Sequence, residues 1–394
     1  MSKLVIAGGG VAGMAAALAF AREGWEVSLY ERREALSELG AGIQMSPNAC
    51  HVLNWLGVLP QVGPQAVEPR AAVLRDGPTG RVVYRAALAD QAEQRWGAPY
   101  IHIHRADLLD VLIEAAKEAG AHLHMGVSVE RAVMQPDGVH VHLSDGSIVD
   151  ADLALGADGI NSALRRGLAP DEDPRFTGQV AWRTTVPAEL VPAGTLPMEA
   201  TVWAGSGRHL VSYYIRGGEL INLVAVREQS EWAGEGWMEA GDPDDMRVAF
   251  ADFAPEVQSV LQEVTECYLW GLFDRPEQVR WVDGRLAMIG DAAHPMLPFM
   301  AQGAAQALED VAALVRHLRG NEIPAALAAW EDERWPRATR VLQTAEANGR
   351  MFHRSPGMKR TLSRGVISTV SRLAPGLAAG QLDWLYGFNA VKGP

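Results

Sequence analysis

The feature that most constrains the fold of this 394-residue chain is a glycine-rich loop at residues 8–13. The loop follows an apolar run typical of a buried strand, Lys3 to Ala7, and opens a run of strong helix formers, Met14 to Arg22. Its three spaced glycines permit a tight turn, close approach of a pyrophosphate and helix–strand packing, in the order Gly8, Gly10 and Gly13. Because the helix N-terminus also offers free N–H groups to phosphates, the sequence predicts a dinucleotide site in a Rossmann-like α/β fold.

A second predicted strand, Trp25 to Tyr30, ends at Glu31. An acid about twenty residues beyond the glycines is placed to accept hydrogen bonds from a ribose diol, and it would repel a 2′-phosphate. A second glycine–aspartate motif, Gly290-Asp291, lies far along the chain and has the chemistry to hold the same long dinucleotide. The glycine loop alone does not separate FAD from NAD, whereas the two motifs together favour FAD.

The composition limits which binding partners and which cellular compartment the protein can have. A net charge of −13 and a pI near 5.3 argue against a nucleic-acid or anionic-membrane surface, because phosphate binding needs clustered cations. The only cysteines are Cys50 and Cys267, which fits a reducing compartment without a disulfide framework. No signal peptide and no apolar run of about 20 residues is visible, so we expect a cytoplasmic protein without a membrane span. The basic segment 350–372 is interpreted as a solvated helical face.

The chain is long enough for two connected domains. Strand patterns are expected at residues 71–96 and 148–155 and, separated by turns, from Gly178 to Trp270, with a helix over 243–262. We predict a discontinuous cofactor domain of residues 1–70, 98–177 and 275–345. Residues 71–97 and 178–274 would form a substrate-binding sheet domain, and residues 346–394 a C-terminal helical region.

Three separated motifs carry a resemblance to a known family: the glycine loop, Gly156-Ala157-Asp158-Gly159 and Gly290-Asp291. In order and spacing they resemble the single-component (class A) flavoprotein monooxygenases, over nearly the whole chain. The segments Gly40–Ile43, His209-x-x-x-Tyr213 and Gln302-Gly303 are similar to the branch with salicylate hydroxylase, 3-hydroxybenzoate 6-hydroxylase and 6-hydroxynicotinate 3-monooxygenase. The resemblance implies a glutathione-reductase-type FAD-binding domain, a β-sheet substrate domain and C-terminal helices.

The resemblance also implies roles in holding FAD. Glu31 would hold the adenosine ribose with Arg32 beside it, Arg105 would contact the extended cofactor, and Asp291 would bind the ribityl chain. Asp158 would lie near the pyrophosphate and the incoming nicotinamide nucleotide; the remaining cofactor contacts would come from Gly8, Gly10, Gly13, Gln302 and Gly303. From the residues alone, Asp158-Gly159 remains equally compatible with a turn, Asp291 with a helix cap and Arg105 with a surface cap. No second glycine fingerprint is present, so NADH or NADPH is expected to dock transiently.

The implied reaction is hydroxylation of a phenolic or hydroxylated aromatic acid by NAD(P)H and O₂ through a flavin hydroperoxide. Such a reaction needs a base or relay beside the substrate hydroxyl, and His209 and Tyr213 are the candidate catalytic residues. Four residues apart on a strand, they face the same side, although core aromatic residues would show the same spacing. Pro298, Phe299 and Gln44 are the other expected substrate contacts. Because Gln44 and Phe299 occupy positions where the 6-hydroxynicotinate enzymes carry histidines, decarboxylative pyridine chemistry is disfavoured.

The other polar residues give weaker signals. His294 is interpreted as a structural hydrogen-bonding group near the flavin, because no metal-ligand spacing surrounds it. The histidines of two strand patterns are interpreted as solvated positions: His102, His104, His122 and His124. Three arginines are candidates for a substrate carboxylate: Arg81, Arg85 and Arg183. A flavin oxidase or dehydrogenase, a non-catalytic FAD-binding protein, and a monomer or homodimer all remain open on the sequence.

Overall fold

The computed structural model describes residues 1–35, 42–169, 173–232, 238–275, 279–354 and 380–393. The strands, in chain order, are β1 (Lys3–Ala7), β2 (Glu26–Glu31), β3 (Gly42–Met45), β4 (Ala71–Asp76), β5 (Val82–Ala87), β6 (Ile101–His104), β7 (His122–Met125), β8 (Val129–Met134), β9 (Val139–Leu143), β10 (Ile148–Ala151), β11 (Leu153–Gly156), β12 (Arg175–Pro187), β13 (Ala200–Gly205), β14 (Arg208–Ile215), β15 (Leu220–Glu228), β16 (Met238–Gly241), β17 (Cys267–Asp274), β18 (Val282–Asp283) and β19 (Leu286–Met288). The α-helices are α1 (Val11–Arg22), α2 (Pro47–Trp55), α3 (Leu59–Val62), α4 (Asp90–Trp96), α5 (Arg105–Glu118), α6 (Ala163–Leu168), α7 (Pro243–Ala249), α8 (Pro255–Gln262), α9 (Gly303–Leu318), α10 (Ile323–Phe352) and α11 (Asp383–Tyr386). Gly40 and Ala41 of the segment Gly40–Ile43, and residues 355–372 of the basic segment, lie outside the described residues.

A six-stranded sheet in the order β18-β19-β11-β1-β2-β7 carries the glycine loop. Its strands are parallel except for β18, and β1 lies between β11 and β2. Leu4 and Ile6 of β1 face helices, whereas Val5 and Ala7 face the three-stranded sheet β10-β9-β8, so the strand is buried on both faces. Helix α1 packs between this sheet, α5 and α9. The predicted Rossmann-like α/β fold is confirmed.

An eight-stranded sheet, in the order β16-β17-β12-β15-β14-β13-β4-β5, forms the second layer. Its neighbouring strands are antiparallel except for the parallel pair β13 and β4. Alternate residues face opposite sides. On one side, Trp182 and Trp203 pack against α7 and α8. The other side, called the inner face here, carries Ala181 and Val226 against Phe299 and Phe352. The domain boundaries themselves stay a prediction.

A buried group of charges, called the charge network here, joins α9 to α10: Glu309, Asp310, Arg334 and Arg337. Arg334 donates to Glu309 at 2.6 Å and to Asp310 at 2.8 Å, and all three side chains are fully buried. Burial raises the pKa of both carboxyls, but the adjacent arginines, and His294 beside Asp310, reverse this effect and lower both values. The network therefore holds two buried carboxylates in their charged form between the two longest helices described.

Three local predictions are wrong. Residues 71–96 are not all strand, because α4 forms after β5 and ends at Gly97, which adopts a left-handed conformation with φ of 79°. Residues 148–155 form two strands in different sheets, divided at Asp152, whose carboxylate accepts the Lys3 N–H at 2.7 Å. The single helix predicted over 243–262 is two helices, because Pro255 favours a helix start over a helix interior.

Both cysteines are buried free thiols. Burial raises the pKa of Cys50 far above its usual range and raises that of Cys267 to about 11. Within the described ranges, no helix combines the length and the apolar character that crossing a membrane requires.

Candidate active site

The glycine loop is closely packed on one side and open on the other. Gly8 has φ of 100°, and a Cβ there would lie 2.5 Å from the Ala157 carbonyl oxygen. A Cβ on Gly13 would lie 1.9 Å from the Gly8 oxygen, whereas one on Gly10 would meet no atom within 4 Å. Helix α1 begins beside that open space without a side-chain cap and without an acid in its first turn. The loop and the helix end thus form an anion-binding cradle that fits the FAD pyrophosphate.

Glu31 lies directly beside this loop. Its carboxylate accepts the Gly9 N–H at 2.7 Å and the Arg33 N–H at 3.0 Å, and the side chain is buried. Each carboxylate oxygen keeps further acceptor capacity, which suits a ribose diol. Arg32 is exposed at the end of β2. The geometry is compatible with the roles implied for both residues, which stay predictions.

Asp158 is half-buried behind the glycine loop, and its Oδ1 atom is fully buried. One carboxylate oxygen accepts the Ala163 N–H at 2.8 Å at the start of α6, and the other has no hydrogen-bond partner in the described part of the chain. Burial raises its pKa, while Ser162 and backbone N–H groups lower it. A buried acceptor without a partner is costly unless a ligand satisfies it. This atom therefore fits the cofactor contact implied for Asp158.

Asp291 lies in a helical turn after β19, next to Gly290, where a Cβ would lie 3.5 Å from the Ala12 Cβ at the start of α1. Its side chain is exposed to solvent, with protein groups close around it. Burial raises its pKa, whereas His294, Arg105 and Arg183 lower it. A Cβ on Gly303 would lie 3.8 Å from its Oδ1 atom. Asp291 therefore faces the start of α9, whose first turn has neither an acid nor a side-chain cap.

Gln302, before α9, has a different role from Gly303. Its side chain is buried, donates to Ser46 Oγ at 2.9 Å and accepts from Asn48 at 3.0 Å. Asn48 also donates to Glu309 at 2.7 Å, so the segment is tied to the charge network. Since the Gln302 amide is engaged within the protein, any cofactor contact from this residue would come from its backbone.

His294 is hydrogen-bonded to Asp310 at 2.6 Å, and both side chains are buried. The predicted structural hydrogen bond of this histidine is confirmed, and its position near the flavin stays a prediction. Among the described residues, no group of three or more His, Cys, Asp or Glu side chains is placed to hold a metal ion.

His209 and Tyr213 lie on the inner face of β14 with Val211 between them. The strand rise separates their Cα atoms by about 13 Å. Both are buried, but they contact different parts of the molecule. They therefore mark two ends of one wall rather than a single catalytic pair.

The Tyr213 end contacts β3 and β6. A Cβ on Gly42 would lie 2.6 Å from the Tyr213 ring, and the Gly42 N–H donates to Asn222 Oδ1 at 2.7 Å. The Tyr213 ring centroid is 4.5 Å from that of His102. Burial raises the pKa of Tyr213, although Arg183 and Asn222 act in the opposite direction. At neutral pH this phenol is a hydrogen-bond donor and not a base.

His102 shows that the interpretation of the strand histidines is only partly right. His122 and His124 are exposed, whereas His102 and His104 are buried. His104 caps α5 by accepting the Ala106 N–H at 3.2 Å. Neither ring nitrogen of His102 has a normal hydrogen-bond partner among the described residues, and burial lowers its pKa to about 3. His102 lies across from Gln44, whose side chain accepts from the Tyr100 hydroxyl at 2.6 Å.

The His209 end is enclosed by aromatic rings. The ring centroids of Phe299 and Phe352 lie 5.2 Å and 5.3 Å from that of His209. Phe299 follows the half-buried Pro298, and its ring packs so closely on α10 that a Cβ on Gly349 would lie 2.6 Å away. His209 Nδ1 is 2.7 Å from His353 Nε2. Burial, reinforced by His353, lowers the pKa of His209 well below its usual value, so its imidazole is neutral at neutral pH.

The three candidate arginines differ in their location and in their partners. Arg81 lies in the turn between β4 and β5, and Arg85 pairs with the buried Glu199. Arg183 is on the inner face, stacked over Trp270 with 4.5 Å between the guanidinium carbon and the ring centroid. Of these three, Arg183 is the one whose charge acts on both Asp291 and Tyr213.

Sequence reasoning missed several residues. Adjacent acids within the apolar helix α9 are a signal that could have identified Glu309 and Asp310. Nothing in the sequence connects His209 with His353 and Glu228, because 144 and 125 residues separate the bonded pairs.

Comparison with known proteins agrees with this geometry. Residues 1–345 match the family model described as FAD binding domain. The chain is 35% identical to 3-amino-4-hydroxybenzoate 2-monooxygenase of Streptomyces cremeus, covering 98% of this chain and 95% of that protein. It is 36% identical to 6-hydroxynicotinate 3-monooxygenase of Bordetella bronchiseptica, covering 88% and 91%. A solved salicylate hydroxylase substrate complex superposes with a TM-score of 0.82 at 26% identity, covering 99% and 96%.

The family match covers most of the chain, and the relatives are similar over nearly their whole length. The chain therefore belongs to the FAD-binding family of flavoprotein aromatic hydroxylases, monooxygenases that use bound FAD with NAD(P)H and O₂.

Proposed function

We propose that the substrate is a hydroxylated aromatic acid that lies against the inner face, with its hydroxyl toward His209 and its carboxylate toward Arg183. The observation that carries this proposal is the arrangement of side chains on the inner face. His209, a neutral base, lies at one end, the cation Arg183 lies at the other side, and valines lie between them. Val211 of β14 and Val224 of β15 are paired, and Val224 is paired with Arg183 of β12. The relatives support the class, because their names specify 3-amino-4-hydroxybenzoate and 6-hydroxynicotinate.

FAD, when bound, supplies the redox chemistry, since it can be reduced by NAD(P)H and can then activate O₂. The start of α1 would bind its phosphates, and Asp158 and Asp291 would contact it from the ends of two neighbouring strands. The start of α9 would direct its positive dipole end at the negative edge of the ring system. The roles of these residues follow from their positions and remain part of the proposal.

His209 would accept the proton of the substrate hydroxyl. A deprotonated or strongly hydrogen-bonded phenol is more electron-rich and therefore more readily hydroxylated. A neutral imidazole can accept that proton, and the lowered pKa of His209 keeps it neutral. Tyr213, protonated and buried, would donate a hydrogen bond and orient the substrate.

Arg183 would bind the carboxylate. A guanidinium offers two parallel N–H groups to a carboxylate, and stacking on Trp270 fixes its plane. The valines of the inner face exclude water beside it, which strengthens the pairing. Neutral phenols would lack this interaction.

The test is turnover of the FAD-loaded protein with NADH and NADPH against a panel of hydroxybenzoates, aminohydroxybenzoates and hydroxynicotinates. Oxygenated product and peroxide are measured together. Product from an acid, with little from the corresponding neutral phenol, is the expected result. Peroxide without product across the panel would indicate an oxidase and contradict the proposal.

The same test separates Arg183 from the other candidates. Arg183→Gln should raise KM for the acid at least tenfold and leave KM for a neutral phenol unchanged. Arg81→Gln is the matched control, because its side chain lies in a turn at the edge of the sheet. An unchanged KM for the acid would remove Arg183 from the carboxylate site.

We also propose a cytoplasmic location, supported by two unpaired thiols and no disulfide. The oligomeric state stays a prediction of monomer or homodimer, which size-exclusion chromatography with light scattering would decide.

A further inference from the structure

A continuous chain of hydrogen bonds connects the buried inner face to the surface. His209 Nδ1 lies 2.7 Å from His353 Nε2, and His353 Nδ1 lies 3.0 Å from Glu228 Oε1. Both histidines are buried, whereas the Glu228 side chain is 57% exposed. The three residues come from β14, the end of α10 and the end of β15. They are called the relay here.

The donor and the acceptor of each hydrogen bond in the relay follow from Glu228, at the outer end of the relay. The Glu228 carboxylate only accepts, so His353 Nδ1 must carry the hydrogen of that bond. In a neutral His353 the Nε2 atom then accepts, and His209 Nδ1–H is the donor to it. His209 Nε2 consequently keeps its lone pair. The relay thus fixes the tautomer in which His209 can act as a base.

We propose that His353 and Glu228 are positioning residues that fix this tautomer and conduct the proton accepted by His209 out to solvent. The proposal rests on the proposed function of His209. One proton enters at His209 Nε2 from the substrate hydroxyl, one moves from His209 Nδ1 to His353 Nε2, and one moves from His353 Nδ1 to Glu228. The carboxylate then releases a proton to water. After oxygen transfer Glu228 takes up a proton from water and the three transfers run in reverse, so that His209 Nε2 returns a proton to the product oxygen and the starting tautomers are restored.

The backbone holds the relay in place. The Gly207 N–H donates to the His353 carbonyl at 3.0 Å, and the Glu228 N–H donates to the Gly207 carbonyl at 2.8 Å. One turn between β13 and β14 therefore fixes both outer members beside His209. A His–His–Glu alignment of this kind requires no rearrangement before proton transfer.

The outer end opens into water. Glu228 and Phe299 line a cavity of about 530 Å³ between the edge of the inner face and α10. Phe299 separates this cavity from His209, since its ring packs against the imidazole. A proton that reaches Glu228 can therefore pass directly to water.

Other charges around the relay are paired with one another. The cavity wall carries two pairs, Arg175 with Asp274 and Arg350 with Glu346, and a third pair lies at the start of β14, Arg208 with Asp252. Arg354 follows His353 in the chain. Burial lowers the pKa of His353, and Glu228 raises it in part. A proton on either buried histidine is thus disfavoured and tends to move outward.

The test uses the FAD-loaded enzyme and three variants. Glu228→Gln removes the outer acceptor, and His353→Gln can keep the hydrogen-bond pattern but cannot transfer a proton. Glu346→Gln is the matched control, because it changes another carboxylate of the same cavity wall. Two properties are measured against pH: kcat and KM for the best acid of the panel, and ionisation of bound 4-hydroxy-3-nitrobenzoate from its absorbance.

We expect Glu228→Gln to lower kcat about three- to tenfold and His353→Gln about ten- to a hundredfold, with KM within twofold. Because Glu228 raises the pKa of His353, its loss should move the acid limb of kcat to lower pH and raise the pKa of the bound nitrophenol. Glu346→Gln should match the wild type in both properties.

Wild-type pH profiles in both relay variants would overturn the proposal. Loss of FAD or a higher KM with an unchanged profile would also overturn it, since that is the behaviour of a structural contact. If the wild type forms no product from any acid, the proposed function fails. The nitrophenol titration would still show whether the relay accepts a proton.

Discussion

The charge network and the relay are both buried polar clusters, but they differ in how completely the protein satisfies them. Every carboxylate oxygen of Glu309 and Asp310 accepts at least one hydrogen bond from the protein. In the relay, one nitrogen of His209 has a hydrogen-bond partner, and within the described part of the chain the other has none. A cluster in which every carboxylate oxygen has a protein partner holds elements together, whereas an incompletely paired one can exchange protons.

The largest expected effect is on the charge network. Arg334→Met removes the cation between Glu309 and Asp310 and leaves buried charge uncompensated, which destabilises a protein by about 3–5 kcal/mol. Urea unfolding of the purified protein measures it, and failure to obtain folded protein is the extreme form of the same result. Arg319→Met is the matched control, since its pair with Glu23 is largely exposed and contributes at most about 1 kcal/mol. Equal losses in the two variants would contradict the contrast.

The second effect is on catalysis. His209→Asn should lower kcat for hydroxylation by about 10² to 10⁴ while FAD stays bound, because it removes a base rather than a scaffold. His122→Asn, in an exposed strand position, should have no effect. Wild-type turnover by His209→Asn would remove this residue from the mechanism. Bound FAD is measured from the absorbance ratio of flavin to protein.

The third effect is on the pH dependence of stability, which differs between the relay and the charge network. The pKa values of His209 and His353 are lowered in the folded protein, so below the usual value of 6.5 the unfolded chain binds protons that the folded protein does not. Stability therefore falls as pH decreases below 6.5. Glu309 and Asp310 have lowered pKa values too, and their contribution is lost only below the usual values of 4.5 and 3.8.

Replacing His353 with Gln should therefore reduce the loss of stability between pH 6.5 and 5, by at most about 1.4 kcal/mol per pH unit. The loss below pH 4.5 should remain. Urea midpoints at a series of pH values measure both. Identical curves for the variant and the wild type would show that His353 titrates alike in the folded and unfolded states.

The smallest expected effect concerns Asp291. Asp291→Ala should weaken FAD binding about tenfold, because one hydrogen-bonding group out of many is lost. Asp283→Ala, an exposed acid in β18, is the control. Fluorescence titration of the apoprotein with FAD measures the affinity. Unchanged affinity in Asp291→Ala would contradict its implied contact with the ribityl chain.

The sequence predicted the fold best where one local pattern determines it. The strand, glycine loop and helix at residues 3–22 depend on contacts between near neighbours, and they were placed correctly. The helix start at Pro255 is a local signal that the prediction overlooked, whereas the divided strand at Asp152 depends on a contact with Lys3, which is 149 residues away in the chain. His102 alternates with isoleucines like a solvated residue, and only the packing of β6 against β14 buries it.

The candidate site likewise combines features that the sequence predicted with contacts that it could not predict. Motif spacing predicted Asp158 and Asp291 as site residues, and both follow neighbouring strands of one sheet, whereas His209 was predicted from its spacing to Tyr213 within one strand. Which neighbours they contact could not be predicted, because the relay and the charge network join residues that only the folded chain brings together. The family resemblance supplied roles for single residues but no hydrogen-bond partners.

The burial of both cysteines has a consequence for the durability of the enzyme. A flavoprotein monooxygenase whose cycle ends without hydroxylation releases hydrogen peroxide, which oxidises thiolates and scarcely touches thiols. With the pKa of Cys50 and Cys267 raised and both side chains away from water, neither offers a thiolate to that by-product. An enzyme that releases hydrogen peroxide in this way is thereby protected from oxidation of its own cysteines.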